Sequence, residues 1–343
     1  MSIPIQNIYY LLSYAWNLLK VEDENRVAAT TGDKVLNLLT LLLYRNTLPL
    51  IRQGLTRQFS RQTNTLTTIK GKIDLTATFR NDLLRQGKAI CTFEDLSVDV
   101  LPNQVIKAII LQLQNTPELA SEMQSLLCQL FRSFSQVSTI KLNQNLFTQL
   151  PAKWWGNRFY ERVLPLCALL YQNLLPEPGG NSFVFVNFLE DERQMAQLFE
   201  HFVRNFLKQE QQEFGVKSER ISWQTKTETA TDLAFLPQMV TDISLLAAHR
   251  NIIIDTKYYK QALVRHYDKQ KIISSHLYQL FSYLKNHPAS AVDSPVEGIL
   301  LYPVVEQELD LTYQLQGHKI SIKTINLAQP WPNIKADLLQ LLA

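Results

Sequence analysis

Only three cysteines occur in 343 residues, and Cys91, Cys128 and Cys167 stand far apart with no CxxC or zinc-type spacing. They read as reduced core residues of a cytosolic protein, and their number argues against an iron–sulfur cluster, which takes four such ligands. Charge is also scarce: charged residues make up 19% of the chain, and 34 Lys+Arg against 31 Asp+Glu leave a formal net charge of +3. That is weak for a chain that grips DNA unaided, so work on nucleic acid would draw part of its grip from a partner. No GxxxxGK[ST] loop occurs, which excludes a P-loop NTPase. A secretory leader is not expected: no positive charge precedes Lys20, and Gln6 and Asn7 fall where a leader would be apolar. Apolar runs such as Val35 to Tyr44 are too short to cross a bilayer. The expectation is a soluble, cytoplasmic protein without a membrane partner. What the chain does have is 46% hydrophobic residues, enough for one large or two medium domains with real cores.

Apolar positions Leu11, Leu12, Ala15, Trp16 and Leu19 recur at helical spacing and predict an amphipathic helix from Ile8. A second helix is expected over about 33–53, then strands over Thr63 to Phe79, punctuated by Gly71. Gly87 to Gln114 reads as a strand, an acidic loop and a helix from near Asn103, with further helices over 117–135 and 160–175. The clearest break is LLPEPGGNS (Leu174 to Ser182), which divides the chain into expected domains 1–175 and 183–343. After it come a strand or extended entry over Phe183 to Leu189, a helix with the stripe Met195, Leu198, Phe199, Phe202 and Phe206, a strand hairpin, another helix and a final strand.

The hairpin carries the chemistry. TDISLL and NIIIDTK flank a short polar-tipped turn, and Asp242 and Asp255 are equidistant from its midpoint, so a symmetric antiparallel pairing sets the two aspartates opposite one another. Lys257, two residues on, shares the face of Asp255, while Thr256 points away. Ile252 to Ile254 imply burial next door, which makes Asp255 a poor surface residue. Paired carboxylates repel, and a divalent cation relieves the repulsion; hard oxygen donors suit Mg²⁺. Such a metal polarises a phosphate, while Lys257 positions a nucleophile or stabilises developing charge. His249, His266, His276 and His287 show no metal-ligand spacing and read as surface or core residues.

Asp242, twelve intervening residues, then Asp255-Thr256-Lys257 resembles the PD-(D/E)xK nuclease signature. Glu200, beside the apolar stripe of the preceding helix, lies where that superfamily often has an acidic metal ligand; its alternative is an ordinary solvated carboxylate. Gln279 and Tyr283, four apart in HLYQLFSYL, resemble the QxxxY helix of the RecB-like branch, the alternative being a helix-surface or partly core pair. Read whole, IPIQNIYYLLSYAW, IKGKIDL, FEDLSVDVLPNQVIKAII, TDISL, IIIDTKYYK, LYQLFSYL and LLYPVV resemble the McrC family, the nuclease subunits of McrBC restriction systems for modified DNA. Gln104 departs from the arginine frequent there.

That resemblance implies an α/β fold, α+β overall: a C-terminal restriction-endonuclease-like domain with a mixed sheet flanked by helices, preceded by a mixed α+β domain. It implies catalytic Asp242, Asp255 and Lys257, supported by Glu200, Gln279 and Tyr283. Mg²⁺ would be held by Asp242, Asp255, Glu200 and the Thr256 backbone carbonyl. It further implies an N-terminal domain that docks on an McrB-like AAA+ GTPase hexamer, which binds the GTP, and double-stranded DNA with modified cytosine as substrate. Lys72, Asp74 and Arg80 belong either to a finger entering that ring or to a hairpin with a solvated face. Trp154 and Trp155 either stack bases or bury themselves. Two other readings stay open on the residues alone: a stand-alone RecB-like repair or CRISPR-type nuclease, and a nuclease-dead activator of a partner NTPase.

Overall fold

The computed structural model describes residues 3–18, 34–154, 157–179, 182–224, 235–258, 263–266, 269–288, 296–304 and 307–342. They form two compact units, one of Met1–Leu38 with Asn187–Ala343, the other of Leu39–Val186. Trp155 and the side chain of Trp154 lie outside the described residues.

The first helix, α1 (Ile5–Ala15), buries every residue except Gln6. It is a core helix, in keeping with core packing as the simplest reading of its apolar spacing, but enclosed on more of its surface than one apolar stripe requires. Asn7 Nδ2 donates to the carbonyls of Leu327 and Gln329, both at 2.8 Å, and Tyr10 stacks on Trp331 with ring centroids 3.9 Å apart. Tyr14 donates from its hydroxyl to Glu210. Three of these partners come from the far end of the chain and Glu210 from α8, so the opening segment of the expected domain 1–175 folds instead with the unit of Asn187–Ala343.

Helix α2 (Val35–Gln53) leads into the second unit. There β1 (Gln58–Leu66), β2 (Lys72–Ile73) and, after the short helix α3 (Leu75–Arg80), β3 (Ala89–Ser97) make an antiparallel sheet in the order β1-β3-β2. The strands expected as far as Phe79 stop early because Asp74 caps α3, its side chain accepting from Ala77 N at 2.9 Å. Gly71 is required: at φ 71°, a Cβ there would stand 2.4 Å from the Thr92 carbonyl. Helices α4 (Leu101–Gln114), α5 (Ser121–Arg132), α6 (Gln144–Trp154) and α7 (Arg158–Asn173) follow. Asn103, wholly buried, donates to the carbonyls of Thr56 and Val98 and accepts from Tyr160. Gln104 reaches Asp99 at 2.9 Å. The Pro/Gly break forms a hairpin of β4 (Leu174–Pro176) and β5 (Phe183–Phe185), with Leu174 opposite Phe185, and lies a few residues before the boundary between the units. Gly179, at φ 114°, allows its turn. The units part just after it, at Val186/Asn187.

In the first unit Asp191 caps α8 (Glu192–Glu210) by accepting from Arg193 N and Gln194 N, and the apolar stripe Met195, Leu198, Phe199, Phe202 and Phe206 is buried as its spacing predicts. The strands β6 (Gly215–Lys217), β7 (Arg220–Ile221), β8 (Met239–Val240), β9 (Ile243–Leu246) and β10 (Asn251–Thr256) follow, then the pair β11 (Leu263–His266) and β12 (Lys269–Ile272). Helix α9 (Ser274–Asn286), β13 (Glu297–Pro303), β14 (Asp310–Leu315), β15 (His318–Ile325) and α10 (Trp331–Gln340) complete it. A six-stranded sheet runs β14-β15-β13-β10-β9-β6; β13 is parallel to both β10 and β15, and the other pairings are antiparallel. The mixed α/β class and the mixed sheet with helices packed against it are as expected, whereas three strands rather than one follow α9. The two central strands are apolar runs buried along their length, β10 through Ile252, Ile253 and Ile254 and β13 through Ile299, Leu300 and Leu301. Gly298 in β13 lets α9 come close, since a Cβ there would meet Leu284 Cδ1 at 2.9 Å and Leu280 Cδ2 at 3.0 Å. No helix among the described residues is long and apolar enough to cross a membrane.

Candidate active site

The hairpin register is the symmetric one. Asn251 pairs with Leu246 and Ile254 with Ile243, so Asp242 and Asp255 fall opposite each other one step beyond the last pair. Asp255 is the penultimate residue of the central strand, with no exposed surface. Lys257 Nζ stands 2.8 Å from Asp255 Oδ2, an ion pair that also hydrogen-bonds that oxygen, whereas the buried Oδ1 has no hydrogen-bond partner among the described residues. The carboxylate is therefore charge-matched at Oδ2 and unsolvated at Oδ1, a costly arrangement for a buried group. Burial, then the charge of Asp242, push its pKa up to about 7 against the pull of Lys257.

Asp242 sits differently. Its Oδ2 accepts from Thr256 N at 2.8 Å and from Thr256 Oγ1 at 2.9 Å. The expectation that Thr256 points away from the pair thus fails for its hydroxyl: Asp242 lies one residue before β9 begins, free of the ladder, and its carboxylate reaches over the strand end to Thr256. On α8, Glu200 Oε1 is paired with Arg204 Nη1 at 2.8 Å, and the same nitrogen donates to the Asp242 carbonyl at 3.1 Å. Burial and Asp242 raise the Glu200 pKa, partly offset by Arg204.

Helix α9 supplies the other side. Lys257 Nζ donates to Gln279 Oε1 at 3.0 Å, and Gln279 Nε2 donates to the Tyr283 hydroxyl at 2.7 Å, so both residues face the cluster as their spacing predicts. Burial raises the Tyr283 pKa. One turn earlier, His276 lies 3.0 Å from the Tyr302 hydroxyl through Nδ1, and burial followed by the Lys257 charge lowers its pKa to about 4. His276 is thus a core residue, one of the two readings its sequence allows, while sequence spacing missed Arg204, which reads as a solvated helix arginine. The i, i+4 spacing from Glu200 was the available signal for Arg204.

Among the described residues no three His, Cys, Asp or Glu side chains gather tightly enough to enclose a metal ion by themselves. The donors nonetheless suit a hard cation: a buried carboxylate with an unpartnered Oδ1 faces a second one across the hairpin, with a backbone carbonyl between Asp255 and Lys257 to add oxygen. Glu200, tied to Arg204, stands outside that pair.

These features define a mixed α/β protein with a carboxylate–lysine cluster at the end of a central strand. A family model described as "McrBC 5-methylcytosine restriction system component" matches residues 5–303. The Escherichia coli (strain K12) "Type IV methyl-directed restriction enzyme EcoKMcrBC" is 30% identical over 339 residues, covering 99% of this chain and 97% of that protein. The chain belongs to the McrBC 5-methylcytosine restriction system component family. Among solved structures, a half-complex from the tetradecameric assembly of Thermococcus gammatolerans McrB AAA+ hexamers with bound McrC aligns with 98% of this chain and 76% of that one, at 16% identity and a TM-score of 0.53, and shares the fold. A second structure, the Thermococcus gammatolerans McrBC complex, aligns with 60% of this chain and 58% of that one at 18% identity and a TM-score of 0.42.

Proposed function

We propose that this chain is the Mg²⁺-dependent, PD-(D/E)xK-type endonuclease subunit of a GTP-dependent complex that cuts double-stranded DNA carrying modified cytosine. The observation that carries the reading is Asp255: a fully buried carboxylate with Oδ1 unpartnered among the described residues, opposite Asp242 and beside Lys257, in a chain of a 5-methylcytosine restriction family. A purely structural ion pair would have both oxygens satisfied; a buried oxygen without a donor suits a further ligand.

Asp242, Asp255 and the Thr256 carbonyl would hold the Mg²⁺, with Glu200 in a supporting position. When bound, the ion supplies Lewis acidity to a phosphate oxygen and lowers the pKa of water. Lys257, tethered between Asp255 and Gln279, has its ammonium fixed beside the carboxylates, where it stabilises negative charge developing on the phosphate. Gln279 and Tyr283 hold that lysine in place from a rigid helix, which narrows the positions the ammonium can take.

The solved relative is McrC bound to McrB AAA+ hexamers. By likeness to it, this chain docks on a hexameric McrB-like GTPase, which binds the GTP, and stimulates its hydrolysis. The missing P-loop and the net charge of +3 support that division, because the motor and part of the DNA grip are then delegated. The docking unit would be the residues around β1 to β3, where Phe59, Ile69, Phe79 and Leu96 are exposed.

The deciding experiment measures GTP turnover by the cognate AAA+ subunit with and without this chain, together with cleavage of methylated DNA in Mg²⁺ by wild type and Asp255→Ala. Stimulated turnover that survives in the variant, with cleavage lost, is the expected outcome. Cleavage by the lone chain without GTP would instead favour a stand-alone nuclease, and cleavage retained by Asp255→Ala would remove the site.

A further inference from the structure

Asp242 is gripped at two atoms by groups that are not themselves ion ligands. Its Oδ2 takes both the Thr256 N–H, at 2.8 Å, and the Thr256 hydroxyl, at 2.9 Å, while its main-chain oxygen takes Arg204 Nη1 at 3.1 Å. We infer that Thr256, through its hydroxyl, and Arg204 are positioning residues that preset Asp242 as a one-oxygen ligand and so favour a small six-coordinate cation over a larger one. The inference rests on the metal-site reading above.

A carboxylate oxygen offers about two lone-pair directions, and two donors occupy both on Oδ2. Only Oδ1 is left to face a cation. Offering both oxygens would cost Asp242 its two bonds to Thr256, a residue only 8% exposed, whose N–H would lose its partner away from water. Ca²⁺ takes six to eight oxygens and often binds carboxylates through both, whereas Mg²⁺ demands an octahedron filled largely by single oxygens and waters. A pinned Asp242 therefore suits the smaller ion.

Arg204 sets the second constraint. One of its nitrogens is shared between Glu200 Oε1 and the Asp242 carbonyl, so helix α8 and the entry to β9 are tied at a fixed separation. With Oε1 engaged, Glu200 reaches the aspartate pair only through its other oxygen or through water, in keeping with the absence of any tight group of three carboxylates among the described residues. On Asp255 as well it is Oδ1 that has no hydrogen-bond partner among the described residues, Oδ2 being held by Lys257.

The test is calorimetric titration of Mn²⁺, an oxygen-preferring stand-in for Mg²⁺, and of Ca²⁺ into the full chain, for wild type, Thr256→Val, Thr256→Ser, Arg204→Lys and Asp255→Asn, with melting curves in metal-free buffer. Thr256→Val should weaken Mn²⁺ binding by about 10- to 100-fold, the usual scale for losing a group that orients a ligand, and shrink the Mn²⁺/Ca²⁺ preference. Thr256→Ser should restore both, which loss of packing alone would not produce. Arg204→Lys keeps the charge but shortens the reach of the nitrogen that spans Glu200 and the Asp242 carbonyl, and should narrow the same preference by a smaller factor. Thr256→Val with wild-type Mn²⁺ affinity and preference overturns the inference, as does a loss that serine fails to restore. Should Thr256→Val not fold, Arg204→Lys decides, and an unchanged preference counts against it. If wild type shows no Mn²⁺ binding that Asp255→Asn removes, the metal site itself fails; if it does and the Thr256 and Arg204 variants match wild type, only the positioning role fails.

Discussion

The six-stranded sheet takes a carboxylate wholly out of water at Asp255, whereas the sheet of β1, β3 and β2 leaves Phe59 71% exposed and its cross-strand partner Leu96 51% exposed. Each arrangement opposes folding: the first strands a charge, the second wets apolar area. The contrast shows where each sheet departs from the usual solvent, one with a buried carboxylate at its strand end and the other with exposed apolar side chains on β1 and β3. A residue placed in the wrong solvent is thus more informative than one placed in the right one.

Breaking the first half of the comparison should give the largest effect. Asp255→Asn in the reconstituted complex should lower single-turnover cleavage by at least about 10³-fold, the upper scale for removing one transition-state-stabilising group. Lys257→Met should cost about 10²-fold in the same assay, leaving GTP turnover as in wild type. Gly298→Val tests how tightly α9 is seated: the added atoms meet Leu284 and Leu280, and overpacking of this kind costs about 1–3 kcal/mol in a denaturant titration.

A pH series sharpens the cost of burial. Because the folded pKa of Asp255 is raised from 3.8 to about 7, the folded state binds this proton more tightly than the unfolded one between those values. The metal-free protein should therefore lose stability from this group as pH climbs from about 4 to about 7 and level off above. Asp255→Asn should flatten that slope and melt higher than wild type at pH 8, and a steeper slope in the variant would contradict the assignment. The smallest stability effect belongs to the other sheet: Phe59→Ser with Leu96→Ser should shift unfolding by no more than about 0.5 kcal/mol per site while lowering stimulation of the partner's GTP hydrolysis.

The aspartate pair, Lys257 and the Gln279/Tyr283 helix were legible in the sequence because each follows from a local period, two for the hairpin and 3.6 for α9, and the register of 251–254 against 243–246 keeps it. What escaped depends on contacts between distant segments. Nothing in the spacing of Ile8 to Leu19 says that this helix is enclosed on every side, and nothing in PEPGG distinguishes a linker from a turn inside a hairpin. Thr256 was misjudged for a related reason: alternation assigns its face, but Asp242 lies outside the ladder and bends to meet it.

The seating of α1 has a consequence for synthesis. Asn7 leaves the ribosome 320 residues before the carbonyl of Leu327 that receives it, and Trp331, on which Tyr10 stacks, comes later still. Residues 39–186 lie wholly between the two segments of the other unit and can gather their core while the chain is still growing. The unit that carries Asp242 and Asp255 closes last. A chain cut short before residue 327 would leave α1 without its lid, so the unit holding the aspartate pair would mature only after the unit of residues 39–186.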